Sequence, residues 1–291
     1  MSAAASTATG TALYGVTGWP LGQSLSPLLH NTGFAALGIN ALYMKWEVPP
    51  HKLPAFVESV RLLNIRGCSV TIPHKVELLP LLDEVSPLAM RVGAANTIYW
   101  QGDRLCGENT DVAGFMAPLA GVPLAGTDVL LLGAGGAARA VAAGLVSPAP
   151  QDRPAHIYVA TPSDKSHLPL AEEFGLTPLL WQNRHEPAPL LVINTTPLGM
   201  RGKAEDDTPY DFSLAAQCAP CGNTAPLAYD IVYNPLETRF LREARAAGRR
   251  CISGLEMFFG QGDAQFRLWT GQGLPPESRR ALETALGQQP R

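Results

Sequence analysis

One run constrains this chain more than any other. From Val129 it reads Val-Leu-Leu-Leu and then Gly133-Ala134-Gly135-Gly136-Ala137-Ala138. An apolar run that ends in a glycine cluster predicts a buried strand, here Asp128–Leu132, turning into a helix, here Arg139–Val146. Gly133, Gly135 and Ala138 fit G-x-G-x-x-A. In that pattern the glycines permit a tight turn and close backbone approach, and the helix N-terminus faces a pyrophosphate. The segments that follow keep the same rhythm. Ile157–Ala160, Leu190–Asn194 and Ala228–Val232 read as strands and Thr238–Ala247 as a helix, so this half predicts a dinucleotide-binding βαβ fold. The second strand runs out as Val159-Ala160-Thr161-Pro162-Ser163-Asp164-Lys165. An acid at that point would hold a ribose hydroxyl, and a cation would meet a 2′-phosphate. Asp164 and Lys165 are both at hand, so NADP and NAD both stay open.

The residues before Asp111 also alternate. Ala12–Thr17, Ala41–Val48 and Gly67–Thr71 read as strands, Pro27–Leu37, His51–Leu63 and Pro73–Leu82 as helices, and Asn96–Leu105 as a hairpin turning at Gln101-Gly102-Asp103. Gly254–Leu268 and Pro276–Leu286 are helical at the C-terminal end, and Pro148–Pro154 is a proline-rich loop. Such alternation predicts a mostly parallel sheet under helices. The 291 residues make about two domains at roughly 150 residues each. With 46% hydrophobic residues, each can bury a core. A net charge of −3 without a basic run argues against nucleic acid as a partner. No apolar run nears the 18 residues or more that span a bilayer, which argues against a membrane. Residues 1–10, rich in Ala, Ser and Thr, lack the charge and apolar core of a targeting segment. They read as a disordered tail on a cytoplasmic protein. Five cysteines do not make a secreted disulfide scaffold.

Chemistry concentrates at three further places. In Gly18-Trp-Pro-Leu-Gly22-Gln-Ser24-Leu-Ser26-Pro27, Ser26 is placed to cap the helix that Pro27 opens. Ser24 is not needed for capping, and two hydroxyls at a helix N-terminus make a neutral seat for a small carboxylate. His30 and Asn31, one turn on, read as structural. In Val70-Thr71-Ile72-Pro73-His74-Lys75, Lys75 falls in the first turn of the expected helix. A cation there opposes the macrodipole at about 0.3–1 kcal/mol unless a partner offsets it. Gly93-Ala-Ala-Asn96-Thr97 and Asn109-Thr110-Asp111 supply short polar side chains that could close a pocket with Lys75. Cys218-Ala-Pro-Cys221 has no second pair of ligands, the histidines are scattered, and no metal site is expected. The five tryptophans, Trp19, Trp46, Trp100, Trp181 and Trp269, read as packing residues.

Taken together, these runs resemble the shikimate dehydrogenase family. The residues that carry the resemblance are Ser24-Leu-Ser26-Pro27, Val70–Lys75, Gly93–Thr97, Asn109-Thr110-Asp111, Gly133–Gly136, Ile193-Asn-Thr195-Thr196-Pro-Leu-Gly-Met200, Asp230-Ile231-Val-Tyr233-Asn-Pro235 and Gly254-Leu-Glu-Met257 with Gln261. They occur in family order across nearly the whole chain. The resemblance implies two α/β domains with a cleft between. A substrate domain with a mostly parallel sheet would take 11–112 plus 251–291, and a Rossmann-type dinucleotide-binding domain 113–250. It implies reversible NADP(H)-dependent reduction of 3-dehydroshikimate to shikimate, on the route to aromatic amino acids. An NAD-dependent quinate/shikimate dehydrogenase is the alternative, and a non-catalytic sensor of the same intermediates a remote one.

Carried over by resemblance, Lys75 and Asp111 are the catalytic pair, and Ser24 and Ser26 hold the ring carboxylate. Thr71, Asn96, Thr110, Tyr233 and Gln261 hold or line the ring. Gly133, Ala134, Gly135, Gly136 and Ala137 cradle the pyrophosphate, with Thr161, Thr195, Thr196, Ile231, Gly254 and Met257 near the cofactor. The family's Asn-Arg-Thr after the second cofactor strand is missing; one register puts Thr161 at its arginine and another puts Pro162 there. Ser69 stands where the family often has Asn. The partner expected is a small-molecule substrate, on a monomer or homodimer.

Overall fold

The computed structural model describes residues 10–22, 24–215 and 225–287. Residues 1–9, with most of the expected tail, and the Cys218/Cys221 pair lie outside the described residues. The chain divides into two compact units. One takes the residues up to Thr110 and those from Gly262 onward, and the other runs Asp111–Gln261.

The first unit holds β1 (Ala12–Gly18), α1 (Ser26–Ala36), β2 (Ala41–Glu47), α2 (Leu53–Leu62), β3 (Gly67–Val70), β4 (Glu84–Val85), α3 (Pro87–Val92), β5 (Thr97–Gln101) and β6 (Arg104–Glu108). Its sheet runs β2-β1-β3-β5-β6-β4. β1 lies parallel to β2 and β3, whereas β5 is antiparallel to β3 and β6. The β5–β6 hairpin turns where expected, with Gly102 at φ +62°. The central strands β1 and β3 are buried because both faces are covered. Leu53, Val57 and Val60 of α2 pack on Cys68, Val70 and Ile98, while Tyr14, Val16, Phe34, Tyr43 and Phe266 form the opposite core.

The expected helix over Pro73–Leu82 does not form. Residues 73–78 are turns, and only Leu79–Leu81 closes a short 3₁₀ turn. The carbonyl of Lys75, which an α-helix would give to Leu79, accepts from the N–H of Ala95 at 2.9 Å instead. Leu79 N–H turns to the Val76 carbonyl. Lys75 therefore opposes no helix dipole. Trp19 also departs from the packing role, being 44% exposed, whereas Trp100 and Trp269 donate their indole N–H groups to the Ile65 and Ile98 carbonyls.

The second unit opens with α4 (Thr110–Met116), which starts on the last residue of the first, and continues through β7 (Asp128–Leu132), α5 (Gly136–Val146), β8 (His156–Ala160), α6 (Leu168–Phe174), β9 (Thr177–Pro178), β10 (Leu191–Asn194), β11 (Leu227–Asp230), α7 (Arg239–Ala246) and β12 (Arg250–Ile252) to α8 (Gly254–Thr270). The last turns of α8, with α9 (Pro276–Gly287), return to the first unit. The sheet order is β12-β11-β10-β7-β8-β9, all parallel. Counted within this sheet it is the doubly wound order 3-2-1-4-5-6, whose direction reverses between β7 and β10. The helix α5 begins at Gly136, three residues earlier than expected, with the extended Gly135 as its N-cap.

Gly15 shows how closely the first sheet is packed. A Cβ there would stand 2.3 Å from the Trp46 ring and 2.6 Å from the carbonyl oxygen of Met44 on the paired strand. A strand backbone cannot yield as a flexible side chain can. Gly15→Ala is expected to cost about 1–3 kcal/mol through overpacking, read as a lower denaturant midpoint. An unchanged midpoint would contradict this.

Candidate active site

In the first unit, polar side chains join in one buried network. The Oδ1 atom of Asn96 accepts from Thr97 Oγ1 at 2.8 Å, from the Thr110 N–H at 2.8 Å and from Thr110 Oγ1 at 3.1 Å. Three donors on one oxygen fix the amide with its oxygen inward and its N–H end the other way. The Thr110 contact also pins the first residue of α4, so Asp111 follows a fixed point. Asn109 Nδ2 donates to the Ala94 carbonyl at 2.8 Å and binds the same loop a second time.

The network reaches back to β2. Gln265 Nε2 donates to Thr97 Oγ1 at 3.0 Å, and its Oε1 accepts from Ser69 Oγ at 2.8 Å. Ser69 in turn accepts from Tyr43 Oη at 2.6 Å. Burial pushes the Tyr43 phenol well above its usual range, with Ser69 and Ser26 opposing that shift, so it is a donor at neutral pH. His30 stacks on Tyr43 with ring centroids 4.5 Å apart, and burial lowers its pKa to about 3, which keeps the ring neutral. Asn31 bonds both backbone groups of Tyr43, so both residues are structural, as their position suggested.

At the start of α1 the two serines exchange roles. The helix begins at Ser26, one residue earlier than expected, so Ser26 is not the cap. Ser24 Oγ accepts from the Ser26 N–H at 3.3 Å and donates to Ser26 Oγ at 3.2 Å. The two hydroxyls thus stand side by side at the helix N-terminus. Their loop is held from β2, where Glu47 accepts from the Leu21 N–H and Lys45 donates to the Gly22 carbonyl. Thr71 follows β3 directly, half-buried, with its N–H on the Thr17 carbonyl at 2.9 Å. Lys75 is half-buried in the turn pinned by Ala95.

In the second unit the remaining candidates gather at the carboxyl ends of the parallel strands. Gly133 ends β7 at φ +114°, and a Cβ there would stand 2.5 Å from Thr195 Oγ1, so no other residue fits. Thr195 closes the same corner by donating its hydroxyl to the Leu132 carbonyl at 2.8 Å. Thr196 turns its hydroxyl onto Asn194. A Cβ on Gly135 or Gly136 would meet nothing within 4 Å. The loop Gly133–Ala137 therefore presents bare backbone to open space at the strand-order reversal, which fits a pyrophosphate.

Past β11, Gly254 lets the first turn of α8 descend onto Ile231, whose carbonyl oxygen would lie 2.3 Å from a Cβ. This sets Met257 beside that strand end, and Tyr233 stacks on Phe258 at 4.8 Å. One face of α4 meets α8 through Gly114, where a Cβ would stand 2.6 Å from the Gln261 nitrogen. Asp111 lies three residues before Gly114, one turn along α4 from that contact. Thr161 differs from the others, because its buried side chain faces His167 and Ser166. Among the described residues, no three His, Cys, Asp or Glu side chains could hold a metal ion, and no helix is long and apolar enough to cross a membrane.

Residues 16–98 match the shikimate dehydrogenase substrate-binding domain model. The NADP(+) shikimate dehydrogenase of Pelobacter propionicus is 53% identical over 277 residues, covering 94% of this chain and 96% of that protein. The chain belongs to the shikimate dehydrogenase family. The Oleidesulfovibrio alaskensis enzyme of the same name is 46% identical over 93% of this chain and 94% of its own. Among solved structures, the Thermus thermophilus shikimate 5-dehydrogenase in complex with NADP(H) and shikimate superposes with a TM-score of 0.82 at 38% identity, over 95% of this chain and all of that one. Sequence reasoning toward the family missed Tyr43 and Gln265. Gln265 carried a signal, since it lies one helical turn from Gln261.

Asp230, between the family residues Asn194 and Ile231, is buried. Its carboxyl accepts from Thr238 Oγ1 at 2.6 Å, Val232 N–H at 3.0 Å and Asn194 Nδ2 at 3.0 Å. Burial pushes its pKa up to about 7 against these donors. The folded state then holds a proton that the unfolded chain loses near pH 4, so stability falls as pH rises from about 4 to 7. Asp230→Asn is expected to flatten that part of the stability–pH curve, measured by denaturant titration at several pH values. An unchanged slope would contradict the assignment.

Proposed function

We propose that this chain is an NADP(H)-dependent shikimate dehydrogenase that interconverts 3-dehydroshikimate and shikimate. The observation that carries the reading is the oxygen-inward amide of Asn96, which accepts from both the N–H and the hydroxyl of Thr110, the first residue of α4 and the one before Asp111. It turns N–H donors toward a ring hydroxyl at the point where an acid enters the fold. The Pelobacter and Thermus relatives, one named for NADP(+) and the other solved with NADP(H) and shikimate, support the same substrate and cofactor.

The residues divide the work. Ser24 and Ser26 receive the ring carboxylate at the N-terminus of α1, where the helix dipole favours an anion. Thr71, Asn96, Thr110, Tyr233 and Gln261 hold or line the ring. The backbone of Gly133, Ala134, Gly135, Gly136 and Ala137 receives the pyrophosphate, bordered by Thr161, Thr195, Thr196, Ile231, Gly254 and Met257. NADPH, when bound, supplies the hydride. Negative charge then develops on the ketone oxygen, and the Lys75 ammonium gives it a proton while the Asp111 carboxylate orients that ammonium. On this reading 11–112 with 251–291 form the substrate domain and 113–250 the cofactor domain. The enzyme works in the cytoplasm on the route to aromatic amino acids, as a monomer or homodimer.

Steady-state assays with shikimate and quinate, each with NADP⁺ and NAD⁺, test the reading. Shikimate with NADP⁺ is expected to have the highest kcat/KM, and a higher value for quinate with NAD⁺ would overturn it. Lys75→Ala is expected to lower kcat by at least about 100-fold, the scale of lost acid–base catalysis. A near-normal kcat in that variant would remove Lys75 from the chemistry.

A further inference from the structure

The ammonium assigned above as proton donor stands on a stretch without a regular element. Residues 73–78 are turns, so no α-helical ladder fixes Lys75. Non-local bonds fix it instead. The ring of the preceding residue, His74, is held by the Val48 carbonyl at 2.7 Å. The carbonyl of Lys75 itself accepts from the Ala95 N–H at 2.9 Å. The place of Lys75 is therefore only as definite as the place of Ala95.

Ala95 is the middle of a short strap, residues 94–96, that follows α3. Gly93 ends that helix in the left-handed region at φ +71°. On both sides of Ala95 the strap is tied to the segment Glu108–Thr110. The Asn96 N–H donates to the Glu108 carbonyl at 3.0 Å, and Asn96 Oδ1 accepts twice from Thr110. The Ala94 carbonyl accepts from Asn109 Nδ2 at 2.8 Å. The Glu108 carboxylate steadies Asn109 in turn. Its Oε1 accepts from the Asn109 N–H at 2.7 Å and from Ser86 Oγ at 2.7 Å, and Ser86 caps α3.

The orientation of the Asn109 amide follows from chemistry. A carbonyl has no proton to give, so Nδ2 faces Ala94. The other end, Oδ1, is then buried without a partner among the described residues. A buried acceptor without a donor costs stability. Asn109 thus carries a cost at one atom and commits the other to a single carbonyl, one residue from the N–H that holds Lys75.

We infer that Asn109 is a positioning residue for the proton donor: by holding the Ala94 carbonyl it sets the Ala95 N–H, and through it the Lys75 turn, against Thr110, the residue before Asp111. The inference rests on the proposed function, in which the Lys75 ammonium meets the charge that develops on the ketone oxygen. A reacting group misplaced by about 1 Å can cost about 100-fold in rate. A strap released on its Ala94 side therefore slows proton transfer, while Asn96 keeps its bonds to Thr110.

Asn109→Leu tests this, because leucine has nearly the shape of asparagine and no donor. It removes one buried acceptor without a partner and leaves the Ala94 carbonyl as another, so the denaturant midpoint is expected to stay near that of wild type. Its kcat is expected to fall about tenfold or more, with a larger solvent isotope effect in D₂O, since proton transfer then limits the rate more. KM for shikimate and for NADP⁺ is expected to change less than about threefold, the signature of an interaction that acts on the transition state rather than on binding. In a Lys75→Ala background the same substitution is expected to cost less than about twofold, because a residue that acts through Lys75 has nothing left to position. Asn109→Ser, one atom shorter and without reach to Ala94, is expected to give the same pattern and serves if the leucine variant does not fold. A kcat near wild type in these variants, an equal fall with and without Lys75, or a fall in kcat matched by a lost denaturant midpoint would each overturn the inference. Wild-type turnover of shikimate and its loss in Lys75→Ala are read separately. Failure of either overturns the proposed function and this inference with it, whereas an unchanged kcat in the Asn109 variants overturns the inference alone.

Discussion

The side-chain oxygen of Asn96 is the constraint on which the first unit depends. Two hydroxyls and a backbone N–H converge on it, and a buried amide oxygen so occupied cannot turn without leaving donors unpaired. One consequence is local, since the N–H end of the amide must face the other way. Another is architectural, since the Thr110 contact fixes where α4 begins and so where Asp111 enters the second unit. Through Thr97, Gln265, Ser69 and Tyr43 the same constraint reaches β2, whose Lys45 and Glu47 hold the serine loop. The serine pair at the start of α1 and the Asn96 amide, about 70 residues apart in sequence, are thereby parts of one polar framework. Partly satisfied, such a framework would be costly, whereas fully bonded it is rigid.

In the second unit the equivalent constraint is steric. Parallel strands in the order β12-β11-β10-β7-β8-β9 open between β7 and β10, and the chain can turn there only because Gly133 adopts a positive φ against Thr195. The open space over Gly135 and Gly136 is the counterpart of that crowding. Backbone at Gly135 and Gly136 is bare, and backbone that must close the corner at Gly133 is filled.

Much of this was legible in the sequence, because the informative signals were local. The strand before Gly133, the hairpin at Gly102 and the polar runs at Asn96 and Asn109 each follow from a few neighbouring residues. The failures were non-local. Pro73–Leu82 has the composition of a helix, yet the carbonyl that would continue it is taken by Ala95, twenty residues on. Ser26 has the neighbours of a cap, but the helix starts at it and Ser24 supplies the acceptor. Tyr43 and Gln265 lie 222 residues apart in the sequence, and only the tertiary fold shows that Ser69 joins them. The loop after β8 is the subtlest case. Its missing arginine was visible, but the hydrogen bonds that tie Ser163 and Ser166 to Thr161 and the buried His167 ring depend on side-chain directions that spacing does not encode.

In the proposed reaction a hydride leaves one ring carbon of shikimate for the nicotinamide. The most direct measurement uses shikimate deuterated at the carbinol carbon that becomes the ketone, mixed with the purified protein and NADP⁺, with the reduced cofactor examined by NMR. Deuterium on the nicotinamide ring, with 3-dehydroshikimate as the other product, is the result predicted. Reduced cofactor without deuterium, or no reduced cofactor from a protein that binds both molecules, would contradict it.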